Sequence, residues 1–165
     1  MSEGAALFRV RNPGAFATSP RMKVPGLRSP HDKVGGLVYF GRMLDKIRLH
    51  QGGSLPAEFH ANLGEGFDKT CSQFLGVPYT DIAEHAKGGA SDEDALAWCS
   101  ARGRPFSEQD ALVWSEFMRK RGWNDVASDR LRQRKAESGF AARDEIQTFF
   151  DYLDADEERP LRTQP

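Results

Sequence analysis

The 165 residues are enough for one domain whose hydrophobic core needs no disulfide or metal. With 23 Lys and Arg against 24 Asp and Glu, the formal net charge is -1, which argues against bulk electrostatic binding to nucleic acid or to an anionic membrane. The two cysteines, Cys71 and Cys99, form no CxxC pair, so neither a disulfide framework nor a zinc ribbon is indicated.

The first 30 residues carry four prolines and three glycines, and five Arg or Lys against the single Glu3. Prolines at this spacing fix their own dihedral angles and lack amide donors, so residues 1–28 are predicted to form an extended basic arm. Several apolar residues in the arm suggest that part of it lies on the domain or on a partner. The start of the chain resembles neither a signal peptide nor a membrane span, and we expect a cytoplasmic protein.

The rest of the chain shows helical periodicity and helix-terminating glycines, with no confident strand. These patterns predict a compact all-α domain of about seven or eight helices over residues 29–154, followed by a polar tail over 155–165. Ser29, Ser91 and Ser107 are each followed three residues later by an acidic residue, as in an N-terminal capping box. The predicted helices cover residues 32–49, 56–61, 67–75, 80–87, 92–102, 108–121, 125–137 and 143–154.

The segment 36–50, GLVYFGRMLDKIRLH, is the first candidate site. On a helix, Arg42 and Asp45 share one face, with Lys46 and His50 one turn apart beside it. Arg42 could hold an anion, Asp45 could orient Arg42 or His50, and His50 could move a proton near neutral pH. The alternative is ordinary surface pairing, because Arg42 with Asp45 and Asp45 with Arg48 have the spacing of exposed ion pairs.

The segment 60–71, HANLGEGFDKTC, gathers His60, Asn62 and Asp68 around two glycines. A glycine-flanked loop before a helix can bind an anion, but Glu65 and Asp68 add negative charge at that helix start and discourage phosphate. No HxxxH, HExxH or CxxC spacing is present, so no metal site is predicted. Cys71 lies on an apolar stripe, which favours a buried and unreactive thiol.

The segment 118–135 carries seven Arg or Lys against two Asp, with Trp123 as a possible stacking surface for RNA bases. However, Arg130, Arg132 and Arg134 spread around more than one helical face, and acidic segments follow. A solvated helix that pairs with acidic neighbours is the favoured interpretation.

Several strings of the sequence resemble a bacterial family known as a domain of unknown function numbered 5069. They are SPHDKVGGLVYFGRMLDKIRLH, LPAEFHANLGEGFD, FLGV, FMRKRGWND and IQTFFDYLDADE, and the resemblance covers about residues 24–157. The resemblance implies a bacterial, cytoplasmic, single-domain origin and supplies no activity, cofactor or catalytic residue.

The functional hypotheses fall into three classes. The preferred one is a small-molecule-binding protein or small enzyme with a polar pocket between helix 36–50 and loop 60–71, using His50, His60 and Asp45 for proton transfer. Its ligand-binding residues are Arg42, Lys46, Asn62 and Asp68, and its cofactor is unknown. The alternatives are a protein-interaction or oligomerisation module that uses the N-terminal arm, and RNA association through residues 118–135.

Overall fold

The computed structural model describes residues 23–162 of the chain. Residues 1–22, which form most of the predicted arm, and residues 163–165 lie outside that part. The arm's proposed role in partner binding or self-association therefore stays a prediction. Among the described residues at its end, Val24 and Leu27 are buried and pack against Leu55 and Phe59.

The described residues form seven α-helices, one 3₁₀ helix and a short hairpin, which confirms the predicted all-α class. None of these helices is long and apolar enough to cross a membrane. In chain order the elements are β1 (Lys33–Val34), β2 (Leu37–Val38), α1 (Phe40–Gln51), the 3₁₀ helix (Ala57–Asn62), α2 (Phe67–Leu75), α3 (Tyr79–Lys87), α4 (Asp92–Arg102), α5 (Glu108–Lys120), α6 (Ser128–Glu137) and α7 (Phe149–Asp156).

The first predicted helix was wrong in its first half, because residues 33–38 form an antiparallel hairpin. Gly35 and Gly36 both have positive φ, 52° and 84°, as a tight two-residue turn requires. The prediction of no strand fails for the same reason. Ser29 caps no helix, and its hydroxyl instead donates to Asp154.

Helix α5 covers the hairpin. The Trp114 indole donates to the Val38 carbonyl over 3.1 Å, and the Ser115 hydroxyl donates to the Gly36 carbonyl over 2.9 Å. These bonds satisfy backbone carbonyls that a two-stranded sheet leaves unpaired. The hairpin thereby fixes Tyr39, the residue at which the chain turns into α1.

The other predicted helix starts agree better with the structure. The side chains of Ser91 and Ser107 accept bonds from the amides of Asp94 and Asp110, and Ser107 forms a complete capping box. The last helix begins at Phe149 instead of near 143, and Thr148 is its cap. The last two helices are therefore shorter than predicted, with α6 beginning at Ser128.

The main core lies between α1, the hairpin and helices α2–α5, with Phe150 from α7 completing it. A third apolar cluster, besides the one around Val24 and Leu27, joins Leu131 of α6 to Ile146 and Tyr152. Cys71 and Cys99 are free and buried, as expected. Glu157, in the segment predicted as a polar tail, is completely buried just beyond the end of α7.

Candidate functional site

Three charged residues of α1 face the interior of the protein. Arg42, Asp45 and Lys46 are 2%, 7% and 5% exposed, so the surface-pairing interpretation is wrong for them. Their partners come from distant parts of the chain: Glu157 for Arg42, Arg28 for Asp45 and Asp68 for Lys46. Each pair thus holds α1 to another segment.

Arg42 is enclosed in a dense ion cluster. Its guanidinium donates to both carboxylate oxygens of Glu157 and, over 2.9 Å, to the carbonyl of Arg28. Arg159 donates to the same carboxylate. Burial opposes the charge on Arg42, but the hydrogen bonds and charge of Glu157 outweigh it and raise the pKa of Arg42 above its ordinary value.

Lys46 sits one turn further along α1, in a triad with Tyr39 and Asp68. The ammonium lies 2.6 Å from Asp68 Oδ1 and 3.1 Å from the Tyr39 hydroxyl, which itself donates to Asp68 Oδ1 over 2.8 Å. Burial lowers the pKa of Lys46 and outweighs the opposing effect of Asp68, while the nearby Arg42 charge lowers it further. Burial also raises the pKa of Tyr39, which keeps its hydroxyl protonated.

The backbone of Tyr39 is strained. Its φ of 71° and ψ of -30° lie in a region that a bulky aromatic residue rarely adopts, and such a residue costs on the order of 1–3 kcal/mol. The Tyr39 amide donates to the Pro30 carbonyl, and the ring packs edge-on against Phe67 with centroids 5.5 Å apart. The surrounding contacts therefore hold the hydroxyl between Lys46 and Asp68.

These residues border a cavity of about 540 Å³ between α1, the 3₁₀ helix, the start of α2, α6 and α7. Its size is typical of a small-molecule site. Five basic side chains and one acidic side chain, Glu65, line it. The basic residues are Arg42, Lys46, Arg121, Arg130 and Arg134.

The cations are not equally available to a ligand. Glu157 and Asp68 occupy Arg42 and Lys46, and Asp125 contacts Arg121 over 2.9 Å. Arg134 has a longer ion pair of 3.4 Å with Glu137. Among residues 23–162, no carboxylate forms an ion pair with Arg130, which is exposed at the cavity mouth.

The remaining wall of the cavity is largely aromatic. Phe59 comes from the 3₁₀ helix, Phe67 from α2, and Phe149 and Tyr152 from α7, with Tyr39 at the inner end. The rings of Phe67 and Phe149 meet edge to face at 5.7 Å. The site therefore combines an aromatic wall with arginines at its opening, which suits an anion that carries an apolar or aromatic body.

Of the sequence-predicted site residues, Arg42, Lys46 and Asn62 line this cavity. Asp68 lies beneath it, fully buried, and binds Lys46, Tyr39 and the Gly64 amide. The loop amide of Gly64 is therefore already used by Asp68. Asp45 is not among the lining residues, and it holds Arg28 through the backbone amide and the guanidinium.

The two predicted proton-transfer histidines meet each other on the surface. His50 and His60 are both exposed, with ring centroids 4.7 Å apart in an edge-on arrangement. A ring nitrogen of His60 lies 2.9 Å from the Leu55 carbonyl. Neither histidine lines the cavity. Within residues 23–162, no group of three or more His, Cys, Asp or Glu side chains is placed to hold a metal ion.

Sequence reasoning missed three parts of this site. Tyr39 was assigned to the interior of a helix, although the VGGLV string contains a two-glycine hairpin turn that could have revealed it. Arg130 and Arg134 are four residues apart, so they share one face of α6, and this face borders the cavity. No local pattern indicates that Glu157 is buried.

The family model for a domain of unknown function, DUF5069, matches residues 24–159. The chain belongs to this family. The match confirms the resemblance inferred from the sequence strings. It also extends to Glu157, so the DUF5069 domain includes both partners of the Arg42–Glu157 pair. A search of the curated proteins gives no significant match.

Proposed function

We propose that this DUF5069 domain binds a small organic anion in the cavity between α1, α2, α6 and α7. The observation that carries the proposal is the arrangement of the cavity: Arg130 and Arg134 stand at the opening, Lys46 and Tyr39 lie at the inner end, and aromatic rings form the wall. A carboxylate or phosphate group would bind the arginines of α6 while an apolar or aromatic body lies against the rings.

The strain at Tyr39 supports this assignment. Backbone strain in a bulky residue persists only when the surrounding structure enforces it, and it concentrates at ligand and active sites. Here the strained residue places a polar group at the inner end of the cavity.

We also propose that the protein works in the bacterial cytoplasm. The free, buried state of Cys71 and Cys99 supports a reducing compartment.

The test compares an aromatic anion with its neutral analogue by calorimetric titration. 4-Methylbenzoate carries a carboxylate on an aromatic ring, and 4-methylbenzamide has the same shape without the charge. We expect the anion to bind at least tenfold more tightly, and the Arg130→Ala, Arg134→Ala double variant to lose this preference. Native mass spectrometry of gently purified wild-type protein should also show a bound anion that the double variant lacks.

Arg132→Ala is the matched control. Arg132 lies on the same helix, pairs with the exposed Asp129 and does not line the cavity. Its removal changes the net charge of α6 by one unit but leaves the proposed contacts intact. Equal binding of the charged and neutral analogues, or an equal loss in the control, would exclude the proposed anion site.

A further inference from the structure

Lys46 has the surroundings of a reactive amine. Its ammonium is almost fully buried, lines the cavity and has a like charge, Arg42, one helical turn away. Desolvation and a neighbouring cation are the two means by which proteins favour the neutral, nucleophilic form of lysine. The lowered pKa of Lys46 agrees with this geometry.

The two other members of the triad can handle protons. Asp68 Oδ1 lies 2.6 Å from the Lys46 ammonium, close enough to accept its proton. The Tyr39 hydroxyl lies 3.1 Å from the same nitrogen. A simple buried ion pair between α1 and α2 needs Asp68 alone, whereas a hydroxyl beside both groups provides a path between nitrogen and oxygen.

We propose that the bound anion is a carbonyl compound, an aldehyde or ketone, and that Lys46 forms an imine with it. This proposal rests on the proposed function, because the arginines of α6 must hold the acidic group while the carbonyl reaches the inner end of the cavity. It adds a substrate class and a covalent role for one residue.

The chemical step needs no oxidant, reductant or second substrate. Asp68 takes a proton from the Lys46 ammonium, and the neutral amine forms a C–N bond with the carbonyl carbon. The carbonyl π electrons move to oxygen, which takes a proton from the Tyr39 hydroxyl, and the tyrosine regains a proton from the new C–N nitrogen.

The resulting carbinolamine then loses water. Asp68 returns its proton to the departing hydroxyl, and the nitrogen lone pair forms the C=N bond. The sum is one ammonium and one carbonyl giving one iminium and one water, so atoms and charge balance. In this sequence, Tyr39 and Asp68 transfer protons and Lys46 is the nucleophile.

The probe for this chemistry is 4-formylbenzoate, an aromatic carboxylate with an aldehyde, incubated with the full-length protein and cyanoborohydride to reduce any imine. Peptide mapping by mass spectrometry then locates the adduct. We expect Lys46 to be labelled at least tenfold faster than the exposed Lys69 on α2, and an excess of 4-methylbenzoate to slow the labelling of Lys46 alone.

Two variants, Lys46→Arg and Tyr39→Phe, test the roles of these residues, and Lys69→Arg is the control. Lys46→Arg removes the amine and should abolish the cavity adduct, whereas Lys69→Arg should leave it unchanged. Because an arginine at position 46 risks misfolding, Tyr39→Phe provides the second test: it should slow labelling of Lys46 at least tenfold while 4-methylbenzoate still binds.

The outcomes separate the two proposals. Binding of 4-methylbenzoate without preferential labelling of Lys46 overturns the imine and leaves the anion site standing. If 4-methylbenzoate does not bind and labelling follows exposure alone, both proposals fail. Fast, competed labelling of Lys46 supports both.

Discussion

Two buried ion pairs are formed by cations of α1 that lie one helical turn apart. The pairs differ in how completely the cation is hydrogen-bonded by its partners. Arg42 meets both oxygens of Glu157 and a backbone carbonyl, and its pKa is raised despite burial. Lys46 meets one oxygen of Asp68 and a hydroxyl, and burial lowers its pKa. The planar fork of arginine fixes a permanent charge, whereas a buried ammonium remains easier to deprotonate.

The difference assigns the two pairs different tasks. The Arg42 pair joins α1 to Glu157, just beyond the end of α7, and Arg42 lines the cavity. The Lys46 pair joins α1 to α2, and the strained Tyr39 lies beside it. We infer that the first pair supports the fold and that the second supports the chemistry of the cavity.

The largest expected effect comes from breaking the first pair. Glu157→Gln leaves Arg42 and Arg159 without their shared carboxylate in the interior, so the free energy of unfolding should fall by about 3–5 kcal/mol in urea denaturation. The double variant Arg42→Met, Glu157→Leu should lose less than the single variant, because the buried Arg42 charge is then absent and Arg159 still has Asp154 at 3.7 Å.

Glu84→Gln is the surface control, since Glu84 is 73% exposed and pairs with the exposed Lys87 three residues further along the same helix. Its effect should stay below about 0.5 kcal/mol. A loss in Glu157→Gln as small as this control would mean that the Arg42 pair does not support the fold.

A smaller effect is expected from pH at the buried His31, which packs against Phe150 and lies near Asp154. Burial lowers the pKa of His31 to about 4, so this histidine stays neutral in the fold and takes a proton on unfolding as pH falls below 6.5. Stability therefore increases with pH between about 4 and 6.5, and moving from pH 7 to pH 5 should cost about 2 kcal/mol at most.

His31→Gln tests this directly by urea denaturation at both pH values. The variant should lose less stability between pH 7 and pH 5 than the wild type. The neighbouring Asp154 acts in the opposite direction, because burial raises its pKa and acid relieves its charge. An unchanged pH dependence in the variant would show that other groups control acid unfolding.

The smallest of the three stability changes is expected at the inner end of the cavity. Tyr39→Phe removes the hydroxyl bonds to Lys46 and Asp68 but keeps the ring, so unfolding should become easier by only about 1–2 kcal/mol. The labelling of Lys46 should nevertheless slow at least tenfold. A small loss of stability with a large loss of Lys46 labelling would distinguish this variant clearly from Glu157→Gln. If stability fell as strongly as the labelling rate, the distinction between the two ion pairs would be weakened.

The sequence predicts the helices well where capping residues and apolar stripes agree, as at Ser91 and Ser107. The prediction fails at residues 32–39, because the apolar residues of the hairpin continue the helical spacing of the apolar residues in α1. The change from strand to helix at Tyr39 is therefore not visible in the apolar spacing. The sequence also does not reveal that His31 is buried or that His85 stacks on Trp98 at 4.2 Å. Both features come from tertiary packing.

The candidate site was predictable only in part. The density of ionisable residues on α1 directed attention to this region, and Arg42, Lys46 and Asn62 line the cavity. Their partners were not predictable, since Glu157 lies 115 residues from Arg42 and Asp68 lies 22 residues from Lys46. The local spacing suggested surface ion pairs between residues three apart on α1. Because the charged residues of α1 that line the cavity are buried, their partners come from other segments instead.

The burial of Glu157 has a consequence for synthesis of the chain on the ribosome. Arg42 emerges 115 residues before its partner, and Arg159 then closes the cluster by donating to the Leu27 carbonyl. Until residues 157–159 have left the exit tunnel, the nascent domain contains a cation that it cannot bury at acceptable cost. We therefore expect chains that stop before this point to be more open to proteases than chains that contain the whole ion cluster.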